Sequence, residues 1–542
     1  MRRRGAVAAA VVGLLLAVPA AASAADPPPG AVKSDNLEYV KWVPDTRLLV
    51  EGKFDKVGTK DILVLTGRFG FKTLDVSDPA NPVALDTFQP PGIEQTAGYW
   101  QDEDMELDTR RKLIIGALDP RHNDADPAAT GCPTNDGEAV RDPDCRSGFY
   151  VISYADPTNL RQLAFVSLPA GHTASCIQKC RYVWTGGPAR RSDQGSLGPF
   201  GTFDSAFGPR LVGDGRPIWV TDLTNPAKPE VSDQPIDLWR NDGFTDYSHD
   251  VDEDENGIAW VAGRGGIRGY ATSGRHRDPY QDRWRQATPF DPILVAGGGL
   301  QWDDPSIPDD DGVAQATMFM HNSGRPTDGS VRAEGVERNN ILLGTEEDFT
   351  TPCGSSGRIV AADLTDSWGG EPAQNSTLDN PYRMKVLDSF HPFLDTPETA
   401  NPSLGCSAHY FEIEGPLLGA AWYGQGLRLV DIHDARNLRQ VGYYRVATPA
   451  GGDPAVDPSS NSWDVAFKSY KDKGDFVFLF DMNRGVEILR LDSSVAAAAR
   501  MSSVTAPSLK RDRYAAKPVS SLVRTSAAGG TPTYVCPLFA TS

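Results

Sequence analysis

The chain of 542 residues carries 53 basic against 72 acidic side chains, a formal net charge of −19, and 39% hydrophobic residues. This balance excludes duplex nucleic acid and anionic membrane surfaces as partners, because both require concentrated positive charge. A chain this long usually divides into several domains, but a ring of small packed sheets is an exception, so one large domain is admissible.

Arg2, Arg3 and Arg4 precede an apolar run from Ala6 to Val18 and the small residues Ala22-Ser23-Ala24, the pattern of a cleaved export signal over residues 1–24. Loss of those three arginines takes the net charge from −19 to −22. The apolar run is too short to cross a bilayer and no later stretch approaches about 18 apolar residues, so no membrane span is expected. The product is expected to be secreted, extracellular or associated with the cell wall, and monomeric. Seven cysteines in such a compartment point to disulfides. Cys132 with Cys145 and Cys176 with Cys180 are close enough to close small loops, Cys353 with Cys406 is the next pairing, and Cys536 is left over. Paired CxxC zinc knuckles are absent.

From about residue 35 onward one phrase recurs. Its clearest copy is Gly70-Phe71-Lys72-Thr73-Leu74-Asp75-Val76-Ser77-Asp78-Pro79, with related copies at 148–157, 218–229, 358–366 and 426–434 and degenerate ones at 266–270 and 485–491. Each is an apolar, β-branched strand closed by a turn in which an acidic side chain can bond the following backbone. A second apolar strand lies upstream, as in Ile62-Leu63-Val64-Leu65, and a more polar one downstream, as in Gln162 to Leu168. A unit of this kind is a four-stranded propeller blade. The last unit lacks a fourth strand after Leu491, whereas Asn36 to Val43 has strand character with no unit before it, so this N-terminal strand is expected to close the ring.

The phrase resembles the LVIVD repeat of bacterial and archaeal secreted or surface proteins, over roughly residues 35 to 492. The resemblance implies a β-propeller and says little about activity. The expectation is therefore an all-β, seven-bladed β-propeller over residues 25–492 closed by an N-terminal strand. Loop inserts fall at 119–147, 186–215, 274–302 and 322–339, and residues 493–542 form a disordered, flexible Ala/Ser/Thr-rich tail.

Four histidines sit where an inner strand should begin: His172, His249, His321 and His409. Imidazoles converging on the propeller axis could bind one transition metal ion, Fe, Cu, Zn or Mn. Glu103, Asp104 and Asp464 occupy analogous places and are candidate supporting or acid–base groups. The same histidines also read as repeat consensus, each bonded to a neighbouring backbone group. Asp250 to Gly257 resembles the start of a calcium loop, but with Asp252 counted first the glutamate expected at the twelfth position is Gly263, and a hairpin turn at Asn256-Gly257 explains the same residues. Gly297-Gly298-Gly299 reads as a turn and Asp309-Asp310-Asp311-Gly312 as a solvated loop. No GxSxG elbow or phosphate-cradling loop is present.

Two functions remain open. One is a non-catalytic binding or scaffold propeller contacting a protein, glycan or cell-wall ligand on its loop-decorated face, with Tyr99, Trp100, Trp239, Trp284 and Trp302 as candidate anchors. The other is a metal-dependent oxidoreductase or hydrolase with the four histidines as ligands.

Overall fold

The computed structural model describes residues 25–90, 100–101, 103–119, 148–168, 171–186, 202–205, 208–211, 217–232, 236–237, 248–263, 266–279, 281–301, 320–347, 357–368, 383–493 and 495. Residues 1–24, expected as an export signal, the 119–147 insert beyond Asp119, most of the 186–215 insert and nearly all of the expected C-terminal tail lie outside these residues, as do Tyr99, Trp239, Trp302, the Asp309 loop, Cys132, Cys145, Cys353 and Cys536.

The described strands fold in chain order into successive antiparallel meanders. The first is Leu49–Val57, Lys60–Gly67, Gly70–Asp75 and Val83–Phe88. In the second, Leu113–Asp119 pairs with two short pieces, Trp100–Gln101 and Glu106–Asp108, and with Gly148–Ser153, which pairs with Arg161–Ser167. Next come Thr173–Ile177, Tyr182–Gly186 and Pro217–Asp222 with short outer strands, then Ser248–Glu253, Ile258–Gly263, Gly266–Ala271 and Ile293–Gln301. Met320–Gly324, Ile341–Glu346, Ile359–Asp363 and Arg383–Phe390 follow, and then Ala408–Glu414, Leu417–Trp422, Gly426–Asp431 and Arg439–Val446. The last meander is Ser462–Tyr470, Gly474–Asp481 and Gly485–Leu491, and Leu37–Val43 supplies its outer strand.

The recurring phrase is the third strand of each meander. Its acidic residue works as expected: Asp75 Oδ1 accepts from Ser77 N at 3.1 Å, Asp222 from Thr224 N at 2.7 Å and Asp431 from His433 N at 3.0 Å. The glycine that opens the phrase has a geometric cause as well. Gly70 and Gly426 have φ of +95° and +70°, and a Cβ there would stand 2.3 and 2.2 Å from the outer-strand carbonyls of Phe88 and Tyr444.

Each apolar cluster is shared by neighbouring meanders, and the last returns to the first: Leu63, Leu65 and Leu74 pack with Phe476, Phe478 and Ile488. This closed succession of face-packed sheets is a β-propeller. Closure is locked by polar contacts too. Tyr444 Oη donates to Glu487 Oε1 at 2.7 Å, Arg484 Nη2 donates to the same oxygen at 2.9 Å, and Trp42 Nε1 donates to Arg484 O at 2.6 Å.

Several expectations need correction. Gly297, Gly298 and Gly299 lie inside the strand Ile293–Gln301 rather than in a turn, because Gly297 (φ +82°) brings the backbone so close to its partner that a Cβ would stand 2.4 Å from Ile267 O. The supposed 274–302 insert therefore contains that blade's outer strand, and only the hairpin Arg275–Asp278 with Arg283–Gln286 is extra. Val495 is buried in the core cluster shared by the last two meanders. The N-terminus adds a further strand, Ala31–Lys33, to the edge of Arg439–Val446, which the sequence pattern did not suggest.

Deleting residues 25–43 removes both N-terminal strands and uncovers Tyr444 and Leu489. The shortened chain is expected to melt at least about 5 °C lower, since losing that much apolar burial costs several kcal/mol. An unchanged thermal melt would show that the ring does not depend on this closure.

Candidate metal centre

The first strand of each meander neighbours the first strands on either side, so the inner strands surround a common axis. These strands are interrupted at equivalent places. The register with the second strand slips between Leu49 and Glu51, Ser248 and Asp250, Met320 and Ser323, Ala408 and Phe411, and Ser462 and Asp464. The residues at those slips include Val50, His249, His321, His409 and Trp463. Glu103 falls between the two short strand pieces of the second meander, and His172 directly precedes Thr173–Ile177. Such bulges re-aim side chains that regular alternation would send elsewhere.

All four predicted histidines are brought together, each at most 1% exposed. His172 Nε2 lies 2.8 Å from His249 Nε2, and ring centroids are 4.1 Å apart for His249–His321 and 4.0 Å for His321–His409. Glu103 enters the same cluster: its Oε2 lies 2.8 Å from His172 Nε2, 3.3 Å from His249 Nε2 and 3.7 Å from His321 Nε2. Glu347, which the sequence reading missed, places Oε2 3.7 Å from His321 Nε2 and accepts a hydrogen bond from Tyr423 Oη. Three overlapping ligand sets result: Glu103/His172/His249, Glu103/His321/His409 and His249/His321/Glu347, each with its donor atoms within 4.8 Å of one another.

The tautomers follow from geometry. His249 Nδ1 faces His321 O at 2.9 Å and His409 Nδ1 faces Trp463 O at 2.6 Å. A carbonyl only accepts, so both Nδ1 atoms carry the proton and both Nε2 atoms present lone pairs inward, the arrangement of metal-ligating imidazoles. Among the described residues His409 Nε2, fully buried, has no hydrogen-bond partner. Burial, then repulsion from His172, lowers the His249 pKa against the pull of Glu103; burial with His409 and His249 holds His321 well below its ordinary value. Burial pushes His409 down to about 4. Burial alone would raise Glu103, but His172, helped by His249 and His321, holds it well below the usual carboxylate range. The site thus presents His249, His321 and His409 as neutral nitrogen donors beside an ionised Glu103. Lone pairs this close repel unless a proton or a metal ion lies between them.

The other predicted residues are placed differently. Asp104 and Asp464 belong with Lys53 one residue farther along the strands: Lys53 Nζ lies 3.2 Å from Asp104 Oδ1, and burial pushes Asp464 up to about 8 against the pull of Lys53. The calcium-like run is the expected turn, in which Asp254 Oδ1 accepts from Asn256 N at 2.8 Å and Ile258 N at 3.1 Å. Trp284 is 60% exposed on the extra hairpin. Cys176 and Cys180 form a disulfide, and Cys406 is also disulfide-bonded.

No family model matches the chain, and no curated protein matches it. Among solved structures it is similar to a functionally unknown protein from Desulfotomaculum acetoxidans, with 10% identity over 73% of this chain and 84% of that one at a TM-score of 0.39. It is also similar to the β-propeller domain of Cps50 (Swd1) from Myceliophteria thermophila, with 9% identity over 82% and 99% and a TM-score of 0.38. A protein from Lactobacillus plantarum gives 10% identity over 80% and 88% and a TM-score of 0.37. Likenesses this distant carry no argument about function, so the strand pairing and the axial cluster stand on their own.

Proposed function

We propose that the protein is a metal-dependent oxidoreductase, an LVIVD-type propeller that holds one transition metal ion at its axis. The observation that carries this reading is the buried convergence of His172, His249, His321 and His409 on Glu103, with the inward lone pairs of His249 and His409 fixed by backbone carbonyls. Ligand count narrows the metal. A catalytic zinc site typically takes three protein ligands, whereas four imidazoles with one or two carboxylates suit a five- or six-coordinate ion such as Fe or Mn. When bound, such an ion supplies electron transfer or Lewis acidity beside the axial channel. The chain's own groups orient the donors: Trp463 O and His321 O set two imidazoles, and Tyr423 sets Glu347. Glu103, ionised among imidazoles, is the group that ligates the ion or holds a proton at Oε2.

A second reading, a binding propeller, is favoured by one feature. Arg285 pairs with Asp278 Oδ2 at 2.5 Å within the extra hairpin and ties it to Pro292 O at 2.8 Å, leaving Trp284 exposed as a contact anchor. Location outside the cytoplasm is part of the proposal, supported by the residue 1–24 leader pattern and the Cys176–Cys180 disulfide.

Elemental analysis of protein purified without chelator is expected to give close to one transition metal ion per chain, lost in a His249→Ala/His409→Ala double variant that keeps its far-UV circular dichroism. A metal-free wild type would overturn the enzyme reading and direct attention to the Trp284 hairpin. The chelator-stripped protein should also be acid-sensitive. His409 titrates near 4 when folded, below its ordinary value, so the unfolded chain takes up the proton first. Stability is then full above about pH 6.5 and falls toward pH 4, by on the order of 3 kcal/mol for this one group. Denaturant unfolding at several pH values checks this, and His409→Leu is expected to flatten the profile.

A further inference from the structure

Directly beside the histidine tier lies a second tier that the proposed chemistry does not use. Glu51, Asp104, Asp250, Tyr410 and Asp464 each follow by one residue the positions of Val50, Glu103, His249, His409 and Trp463, and all five are buried. The strand interruptions that turn the first tier toward the axis turn the second with it. The tier consists entirely of oxygen donors.

Its charge is poorly balanced. Lys53 lies 3.2 Å from Glu51 Oε1, 3.2 Å from Asp104 Oδ1 and 3.4 Å from Glu106 Oε2, and its single positive charge is also felt by Asp250, Asp252 and Asp464. One ammonium thus stands among at least six carboxyl groups. Asp104 has a further donor in Ser175 Oγ at 3.1 Å, and Glu51 accepts from Met105 N. Asp250 lies within hydrogen-bonding reach of Asp104, which brings the two carboxyl groups together. Two buried atoms face this tier with no hydrogen-bond partner among the described residues: Asp250 Oδ1 and the hydroxyl of Tyr410. The Tyr410 ring packs against the imidazoles of His321 and His409, with centroids 4.6 and 5.0 Å apart, and the charges of Asp250, Glu103, Asp104 and Glu51 act on its phenol. A buried hydroxyl and a buried carboxylate oxygen left open are each costly unless a ligand occupies the gap.

We propose that Asp104, Asp250 and Tyr410 form a second cation site, for a hard divalent ion such as Mg²⁺ or Ca²⁺ that keeps part of its water shell. The donors suit that class: hard cations take oxygen ligands, and Mg²⁺ commonly binds through one or two carboxylates while retaining several waters. Nitrogen donors in the adjacent tier suit a softer ion, so the two tiers sort cations by ligand type. This site stands independently of the transition-metal reading, because it shares no ligand with the histidine tier.

The test uses Tb³⁺, an oxygen-seeking probe for hard-cation sites, titrated into chelator-treated full-length protein with emission sensitised through Trp463. Expected is saturable emission at one ion per chain, reversed by Ca²⁺ or Mg²⁺. Asp250→Asn should weaken it at least about tenfold, a loss of about 1.4 kcal/mol, and Tyr410→Phe should weaken it by a smaller factor. The variant His321→Ala/His409→Ala should keep it. Asp250→Asn removes a repelled carboxylate, so without cation its melting temperature should equal or exceed that of wild type, separating lost binding from lost folding. Emission no greater in wild type than in Asp250→Asn would overturn the proposal. So would emission abolished in the histidine variant, which would place the ion on Glu103.

Discussion

Everything specific about this molecule depends on one geometric constraint: a closed ring brings the same position of each repeat to the same axis. A substitution at the start of one inner strand is then no longer a local event, because its side chain meets its counterparts from every other blade. His172, His249, His321 and His409 are separated by scores of residues, yet their rings follow one another at centroid distances of 4.5, 4.1 and 4.0 Å. The register slips make this possible. Regular strand alternation would send adjacent side chains to opposite faces, and the bulges allow His409 and Tyr410, or His249 and Asp250, to face the axis together.

Such an axis is expensive to bury. Imidazoles, carboxylates and an ammonium removed from water each carry a desolvation cost that only close partners or bound ions offset. The rest of the ring is built to hold that arrangement. Every pair of neighbouring blades shares an apolar cluster, and Trp184, Trp260, Trp422 and Trp463 are fully buried. The seam between the chain's two ends carries a second fastening: fully buried Arg484 is paired with Glu487, which Tyr444 also contacts, while the Trp42 ring lies 4.9 Å from the Arg484 guanidinium. Breaking one partner there would strand a buried charge, so the seam opens only at high cost.

The architecture was legible in the sequence because the repeat exposes its own physics. A glycine that must adopt positive φ, an apolar strand and an Asp that caps the next turn recur together, as at Gly70, Leu74 and Asp75, and each has a local cause. The four histidines were legible for the same reason, since they share one place in the unit. What escaped has no such signature. Glu347 follows a second strand, where the repeat carries no comparable residue, and it meets His321 while accepting a hydrogen bond from Tyr423. Gly297 to Gly299 were misread because close backbone approach inside a strand and a flexible turn leave the same glycines in a sequence. Ala31–Lys33 is too short to show a strand period at all.

Repetition by itself can place like residues around an axis, and a repeat consensus would account for histidines that each bond a neighbouring backbone. The detail of the cluster exceeds that account. Consensus would make the positions alike, yet they differ: Val50 and Trp463 stand where the other blades supply donors, Glu103 substitutes a carboxylate, and Glu347 arrives from a different strand. The backbone bonds are present, but they use Nδ1 and leave Nε2 pointing inward. Had backbone bonding been the purpose of these side chains, an asparagine would serve, since its amide also donates to a carbonyl. An imidazole is required only where one nitrogen is spent on orientation and the other is kept for something at the centre, and His249 and His409 both make that division.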